Sequence, residues 1–325
     1  MPNVIFTNAE QYAQVHEGFR LDNLNQLAAE QGVQIFATVL DDGNYPEYSN
    51  VTYTTYDDFD TDWSAFYAKH KPNKVINFID YLTPIEKLNI DCDFVYFVRS
   101  CYAEVLERNP RQVKKDYWLE REQTGIESAT QIVTDSPTSQ AAIQKHYGVN
   151  ADLMLEYVNP QKYLEMPAPT QFAKKAHFTG RFDSQKRFDL IDQVADWDII
   201  GIGSHILDTE RFANIETHQM QNFESYKDLI TDSVFGLYPA IWESNGYGVQ
   251  QCLAMGKVPI IQTGSGGHER LCNGNNSISI DWTSKNWWEA AEEMYSTDMH
   301  EAAKNSLTQA MYQESLEKFI EVLHS

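Results

Sequence analysis

Basic residues are scarce in this chain of 325 residues: 25 Lys and Arg stand against 47 Asp and Glu, a net charge of −22 at pH 7. Broad polyanion binding needs clustered cations that replace condensed counterions, so that class is excluded for the surface as a whole, though not for a local groove. No Lys/Arg-rich amphipathic stretch compensates, which excludes constitutive association with an anionic membrane. No run reaches the roughly 18 apolar residues that a spanning helix needs. The start, "MPNVIFTNAE", lacks the basic-then-apolar pattern of a secretory leader and reads as a first strand, so the expected location is cytoplasmic. Cysteine is rare, with 4 in all (Cys92, Cys101, Cys252 and Cys272). None has C-x-x-C spacing, and mostly apolar surroundings read them as reduced, buried thiols. The 9 histidines show no metal-ligand spacing, and no nucleophile elbow or Cys/His arrangement is present. Internal repeats and low-complexity segments are absent as well.

What is present is apolar residue enough for real cores, 42% of a length that suits two domains. Strand-like runs recur in the first half: "NVIF" (3–6), "VQIFATVL" (33–40), "KVINFI" (74–79), "DFVYFV" (93–98), "TQIVTD" (130–135) and "DLMLEYV" (152–158). Between them lie helical patterns, "YAQVHEGFRLDNLNQLAAEQG" (12–32) and "SPTSQAAIQKHYG" (136–148). The latter has Ser136 as cap, Pro137 at the first helical position and Gly148 at the end. "EMPAPTQ" (165–171) is the linker candidate, its two prolines lying in a short polar stretch. A second series follows: "AHFTG" (176–180), "WDIIGIG" (197–203), "VFGLYP" (234–239), "VPIIQT" (258–263) and "SISID" (277–281), then a helical tail. Strand and helix alternate, the pattern of two doubly wound parallel sheets whose ligands sit beyond the carboxyl ends of the strands.

Four segments at those ends carry chemistry. In "HFTGRFDSQKRFDL" (177–190) a strand turns at Gly180, and Arg181 and Lys186 flank the start of an expected helix. Cations beside exposed helix N–H groups suit a diphosphate; a solvated turn with surface cations fits the same residues. "IIGIGS" (199–204) holds Gly201 and Gly203 at a strand end, where close approach and tight-turn geometry explain the pair equally well. In "IWESNGYGVQQCLAMGKVP" (241–259) Glu243 falls in a strand-to-helix loop. Its carboxylate can accept bonds from sugar hydroxyls, Gly246 and Gly248 keep the backbone accessible, and Gln251 falls near the same edge. "QTGSGGHERL" (262–271) repeats the arrangement with Gly266, Gly267 and His268, His268 reaching toward a ligand. Successive loops of this kind on one domain point to a nucleotide-phosphate site. His177, in an apolar strand, reads as a satisfied core histidine.

These stretches, with "DLITDSVFGLYPAIWESNGYGVQQCLAMGKVPII" and "TQIVTDSPTSQAAIQKHYGVNADLMLEYVNPQKY", occur in the order and spacing of the retaining glycosyltransferases of family 4, which the chain resembles over residues 127 to 300. The first 120 residues match only in strand-helix rhythm. The resemblance implies an α/β fold of the GT-B class: two Rossmann-like doubly wound domains facing across a cleft, with a C-terminal helix returning to the N-terminal domain. The expected domains are 1–166 on the acceptor side, 167–305 for the nucleotide sugar, and the helix 306–325. The family pattern sets a glutamate, seven residues and a second glutamate before an A-x-x-G-x-P helix. Aligned on Gly256, Glu243 matches the first and Gln251 the second. Glu243 is thus implied to contact the donor sugar and Gln251 the ribose, as an amide in place of an acid. Arg181 and Lys186 match the pair that holds the donor diphosphate. Gly180, Gly201, Gly203, Asn245, Gly246, Tyr247, Gly248, Gly266, Gly267 and His268 complete the implied donor site. Lys257 is an extra residue between Gly256 and Pro259.

The implied activity is hexosyl or pentosyl transfer from a nucleoside-diphosphate sugar, a UDP-sugar first among them, to an acceptor hydroxyl, with no cofactor or metal required. A non-catalytic nucleotide-sugar binder on the same scaffold is the alternative, kept open by Gln251. Phage DNA glucosyltransferases of this fold show a similar Gly-x-x-Pro ending, which admits a modified DNA base as acceptor; "RNPRQVKK" (108–115) is where DNA would touch, and a solvated helix face fits it too. On the acceptor side, Thr7, Asn8, Asp80 and Arg99 follow strands and are expected to face the ligand. The competing GT-A architecture binds a metal through Asp-x-Asp. "DDFDTD" (57–62) and "DCD" (91–93) contain that string by chance in an Asp-rich chain. The first is no EF-hand loop, with Trp63 where glycine belongs and Lys69 where the bidentate acid belongs. Oligomeric state is left open.

Overall fold

The computed structural model describes residues 3–7, 29, 32–39, 49–55, 68–77, 92–109, 115–203, 212, 214–219 and 223–324. The chain divides into two compact units: Met1–Glu107, Val113–Glu156 and Gln313–Ser325 form the first, and Arg108–Gln112 and Tyr157–Tyr312 the second.

In the first unit, β1 (Asn3–Thr7), β2 (Gln34–Val39), β3 (Val51–Thr55), β4 (Lys74–Asn77), β5 (Asp93–Val98), β6 (Gln131–Thr134) and β7 (Asp152–Leu153) form one sheet. The order is β3-β2-β1-β4-β5-β6-β7, and each pairing is parallel. β4 and Phe94–Val98 of β5 are buried throughout. Strands covered on both faces read as apolar runs, which is why β5 stands out in the sequence; β4 adds buried Lys74 and Asn77 to Val75 and Ile76. β3, "VTYTT", was not among the expected strands because threonine fills it, and β7 is shorter than the run that contains it. Helices, numbered over the described residues, are α1 (Tyr102–Arg108), α2 (Lys115–Ser128) and α3 (Pro137–Tyr147). α3 starts and stops where its punctuation directs: Ser136 Oγ accepts from Ser139 N, Pro137 opens the first turn, and Gly148 ends it at φ 69°. The helix expected over 12–32 falls almost wholly outside the described residues.

The second unit repeats the plan with β8 (Lys175–Thr179), β9 (Asp198–Gly203), β10 (Ile215–Gln219), β11 (Phe235–Tyr238), β12 (Val258–Gln262) and β13 (Ile278–Ile280). Their order is β10-β9-β8-β11-β12-β13, all parallel. The order reverses between the neighbours β8 and β11, and such a switch point is where a doubly wound sheet takes ligands. The helices are α4 (Phe223–Ile230), α5 (Tyr247–Ala254), α6 (Trp287–Met294) and α7 (Asp298–Lys304); a last helix, α8 (Gln309–His324), starts in this unit, and its residues from Gln313 onward belong to the first. Among the described residues no helix is long and apolar enough to cross a membrane. Of the 4 cysteines, Cys101 and Cys252 are buried and Cys92 and Cys272 half-buried.

Two expected helices are absent. After Gly180 the chain makes turns and a 3-10 segment, Phe188–Leu190, and after Gly266 another, Gly267–Leu271. Packing explains the first. Phe182 and Phe188 meet edge to face at 4.3 Å, and both lie against Phe178 of β8. Gly201 supplies the space, since a Cβ there would stand 3.0 Å from the Phe182 ring and 3.2 Å from that of Phe188. Arg187, at φ 51°, leaves helical space to let both rings in.

Lys257 is wholly buried, and its Nζ donates to the carbonyls of Thr231 (2.9 Å) and Ser233 (2.6 Å), just past α4. Burial holds its pKa down to about 8 from an ordinary 10.5. The folded state therefore binds fewer protons than the unfolded state between those two values, so folding stability rises as pH climbs through that window. Urea unfolding should show wild type gaining about 1–3 kcal/mol relative to Lys257→Met between pH 7.5 and 10.5. Parallel pH profiles for the two proteins would refute the shift.

Candidate active site

β8 delivers Gly180 to the sheet edge, where its N–H donates to Ile202 O at 3.0 Å. Gly203 makes this approach feasible: a Cβ there would fall 1.7 Å from the Gly180 carbonyl oxygen. The expected ligand glycines Gly201 and Gly203 thus serve ring packing and strand-end approach. Beyond Gly180, Asp183 organises the turn. It accepts from Lys186 N at 2.9 Å and pairs with Arg181 Nε at 3.3 Å. Arg181 also donates to Gln185 Oε1 at 2.9 Å and stays half exposed. Gln185 ties the turn to the next loop, its carbonyl accepting from Ile241 N at 2.9 Å.

That next loop leaves β11 and carries Trp242 and Glu243. Glu243 N donates to Ser265 O (2.8 Å), and Gly267 N donates to Glu243 O (2.7 Å), a parallel bridge between Glu243 and Gly266. Gly266, at φ 124°, is obligatory, because a Cβ there would come 2.4 Å from Glu243 O. So held, Glu243 accepts from Lys186 Nζ through Oε1, with side-chain exposures of 17% and 18%. Burial works to raise the Glu243 pKa, but the charges of Lys186, His268 and Arg181 outweigh it and hold the carboxyl below its ordinary range.

α5 starts at Gly246 (φ 69°), with no side chain capping it. It is the one α-helix N-terminus among these three loops, and its first N–H groups, from Tyr247 and Gly248 onward, lack partners within the helix. Asn245 is buried, and its Oδ1 accepts from Gln250 Nε2 and Arg270 Nη2, both at 2.9 Å. Gln250 Oε1 in turn accepts from Val158 N at 3.0 Å. Gln251 is half-buried on the same helix, with Tyr226 OH 3.5 Å from its Oε1.

His268 does not present itself to a ligand. It is wholly buried against Gly246, with Nε2 2.8 Å from Ser265 Oγ. The Ser265 hydroxyl already donates to Gln262 O at 2.6 Å, so His268 carries its proton on Nε2 and braces the loop. Burial lowers its pKa to about 4. Gly267 likewise spends its N–H on Glu243. His177 is the core histidine expected, with Nδ1 2.9 Å from Ser233 Oγ and Nε2 3.3 Å from Tyr238 OH.

In the first unit, Thr7 ends β1, while Asn8 and Asp80 lie outside the described residues. Arg99 follows β5 and is committed to two wholly buried carboxylates, Glu156 (3.0 Å) and Asp135 (3.7 Å), so it is not a free anion-binding cation. Of "RNPRQVKK", residues 110–114 lie outside the described set. Arg108 is occupied, lying 4.6 Å from the Trp242 ring centroid and donating to Gly264 O. The "DDFDTD" string is likewise outside. Among the described residues one trio of metal-ligand types converges, Glu104, Glu107 and His146, and Lys145 Nζ already supplies a cation to both carboxylates at 2.9 and 2.6 Å.

Sequence reading missed Asp183, Gln185 and Ser265. Only Asp183 left a signal, as an aspartate three residues before Lys186 able to cap its N–H. The other two are recognisable only once β8, β11 and β12 are neighbours.

No protein-family model matches the chain, and no curated protein matches it in sequence. Solved structures do. Sucrose-phosphate synthase from Thermosynechococcus elongatus is 12% identical, with 100% of this chain and 98% of that one covered and a TM-score of 0.77. Anabaena HepE in complex with UDP-glucose is 12% identical over 100% of both chains, with a TM-score of 0.72. WaaG, a glycosyltransferase involved in lipopolysaccharide biosynthesis, is 14% identical over 98% of this chain and 99% of that one, at 0.71. The chain has the α/β fold of these proteins, the GT-B class.

Lys186→Met would leave the Glu243 carboxylate buried without its cation, costing about 1–3 kcal/mol of stability at neutral pH. Adding Glu243→Gln should recover most of that loss. The pair's contribution is present above the ordinary carboxyl range and is lost as pH falls through the lowered Glu243 pKa. A double-mutant cycle by urea unfolding checks this; additive losses would show that the two groups are uncoupled.

Proposed function

We propose that the chain is a retaining, metal-independent glycosyltransferase of the cytoplasm that moves a hexose or pentose from a nucleoside-diphosphate sugar, preferably a UDP-sugar, to an acceptor hydroxyl. The observation that carries this reading is the Lys186–Glu243 pair at the switch point between β8 and β11, beside Arg181 and the α5 N-terminus. The fold shared with HepE, whose structure contains UDP-glucose, supports the choice of donor.

Transfer breaks the bond between the anomeric carbon and a phosphate oxygen and forms one to the acceptor oxygen. The acceptor proton passes to the departing phosphate. Charge grows on the leaving diphosphate and an oxocarbenium-like sugar forms. Arg181, Lys186 and the N–H groups opening α5 would donate to the diphosphate oxygens and stabilise the charge that grows there, since fixed charges and dipoles need no rearrangement as the bond breaks. Lys186 would serve the carboxylate and the phosphate together, placing Glu243 against the sugar hydroxyls. Gln251 would accept from a ribose hydroxyl.

Arg181→Ala tests the assignment cleanly, because the side chain is half exposed and its removal should leave the fold intact. With UDP-glucose and a panel of acceptors, we expect UDP release to fall about a hundredfold or more while circular dichroism stays unchanged. Near-normal turnover in the folded variant would overturn the mechanism. UDP-sugar binding by wild type without turnover on any donor would favour the non-catalytic binder instead.

A further inference from the structure

The connection from β5 to α1 carries, three residues beyond Arg99, a feature that the donor reading does not use. Tyr102 opens α1, so it stands at the carboxyl edge of the first unit's sheet. Its ring stacks on Trp118 of α2, with centroids 5.4 Å apart and planes 11° from parallel. Tyr117 closes edge-on against Trp118 at 4.9 Å and 74°. Tyr117 is 44% exposed, one of few large hydrophobic side chains on the surface described.

The rings are fixed in place beforehand. Trp118 and Glu122 lie one turn apart on α2 and share a face. Glu122 is wholly buried, and its carboxylate accepts from Tyr102 N (2.6 Å), Ala103 N (3.2 Å) and the Tyr147 hydroxyl. One carboxylate thus pins the start of α1 to α2, and the two stacked rings ride on the elements it joins. A ligand meeting such a surface pays little ordering entropy.

The nearby charges narrow the ligand class. Arg99 keeps 18% side-chain exposure between two fully buried carboxylates, so it brings no net positive charge to this edge. Arg121 lies 5.1 Å from the Tyr117 ring centroid and donates to its hydroxyl. Aromatic faces attract the polarised C–H groups of a sugar ring. A polyanion needs cations that are not already committed. We propose that Tyr102, Trp118 and Tyr117 form a carbohydrate-binding platform that takes an uncharged sugar ring. On the transferase reading, on which this last step rests, that sugar is the acceptor.

The test exposes the full chain to an array of neutral oligosaccharides, with sulfated glycans and duplex DNA alongside, and titrates the ligands bound. We expect neutral glycans to bind. Tyr117→Ala should weaken them about tenfold and Trp118→Ala further, while Trp118→Phe keeps most of the affinity. UDP titrated into the same proteins reads the second unit separately and should bind within twofold of wild type. If Trp118→Ala does not fold, Tyr117→Ala, whose ring is at the surface, decides. Absence of neutral-glycan binding, equal binding by both variants, or preference for DNA or sulfated glycans would overturn the platform. Ring-dependent glycan binding by a wild-type chain that takes no UDP would uphold the platform and overturn the transferase reading.

Discussion

The bridge that clamps Glu243 between Ser265 and Gly267 sets the terms for the rest of the second unit's ligand edge. It fixes a carboxylate in a place where burial opposes its charge, so a cation has to stand beside it. Lys186 fills that role, and reaching Glu243 constrains the whole segment behind it. Asp183 caps the Lys186 N–H, Gln185 ties the turn to Ile241, and Phe182 and Phe188 anchor it beneath. A regular helix there would swing either the rings or the ammonium away. The glycines serve the same construction: Gly203 and Gly266 admit backbone where no side chain fits.

The scarcity of basic residues gains meaning from where the described ones stand. Lys257 holds carbonyls beyond α4, Arg270 is shared between Asn245 and the Tyr157 ring, and Arg99 sits between two carboxylates. Each is bound to a particular internal partner. Arg181, paired with Asp183 yet half exposed at the switch point, is more open to solvent than these three. Its exposure is the natural condition for a group that meets an anion arriving from solvent.

Apolar runs and punctuation made most of the fold legible. The parallel core strands announced themselves as hydrophobic stretches, and α3 as Ser136, Pro137 and Gly148 in order. β3 and β10 escaped notice because threonine, glutamate and histidine fill them, and edge strands need no continuous apolar run. At the candidate site, Arg181, Lys186 and Glu243 were legible as charged residues beside strand ends, and the structure brings the latter two into contact. His268 was misread because a histidine after two glycines looks accessible, whereas the bond to Ser265 turns it inward. The loops after Gly180 and Gly266 were misread as helices because local propensity carries no information about Phe182 and Phe188 packing on Phe178, or about the bridge between Glu243 and Gly266.

The two absent helices also bear on Gln251. With α5 the one helix N-terminus at this edge among the described residues, the charge of a diphosphate would fall mainly on Arg181 and Lys186. Asp183 and Glu243 lie close to that pair, so the two cations and two carboxylates cancel. An acid at position 251, on the helix that begins at the same edge, would tip this balance negative, in a protein already strongly acidic. An amide there keeps the hydrogen-bond acceptor for a ribose hydroxyl and removes the repulsion from the phosphates. On the transferase reading, Gln251 is therefore a fitting partner for this cation-poor site, and an amide where the resembled family has an acid is consistent with a working donor pocket.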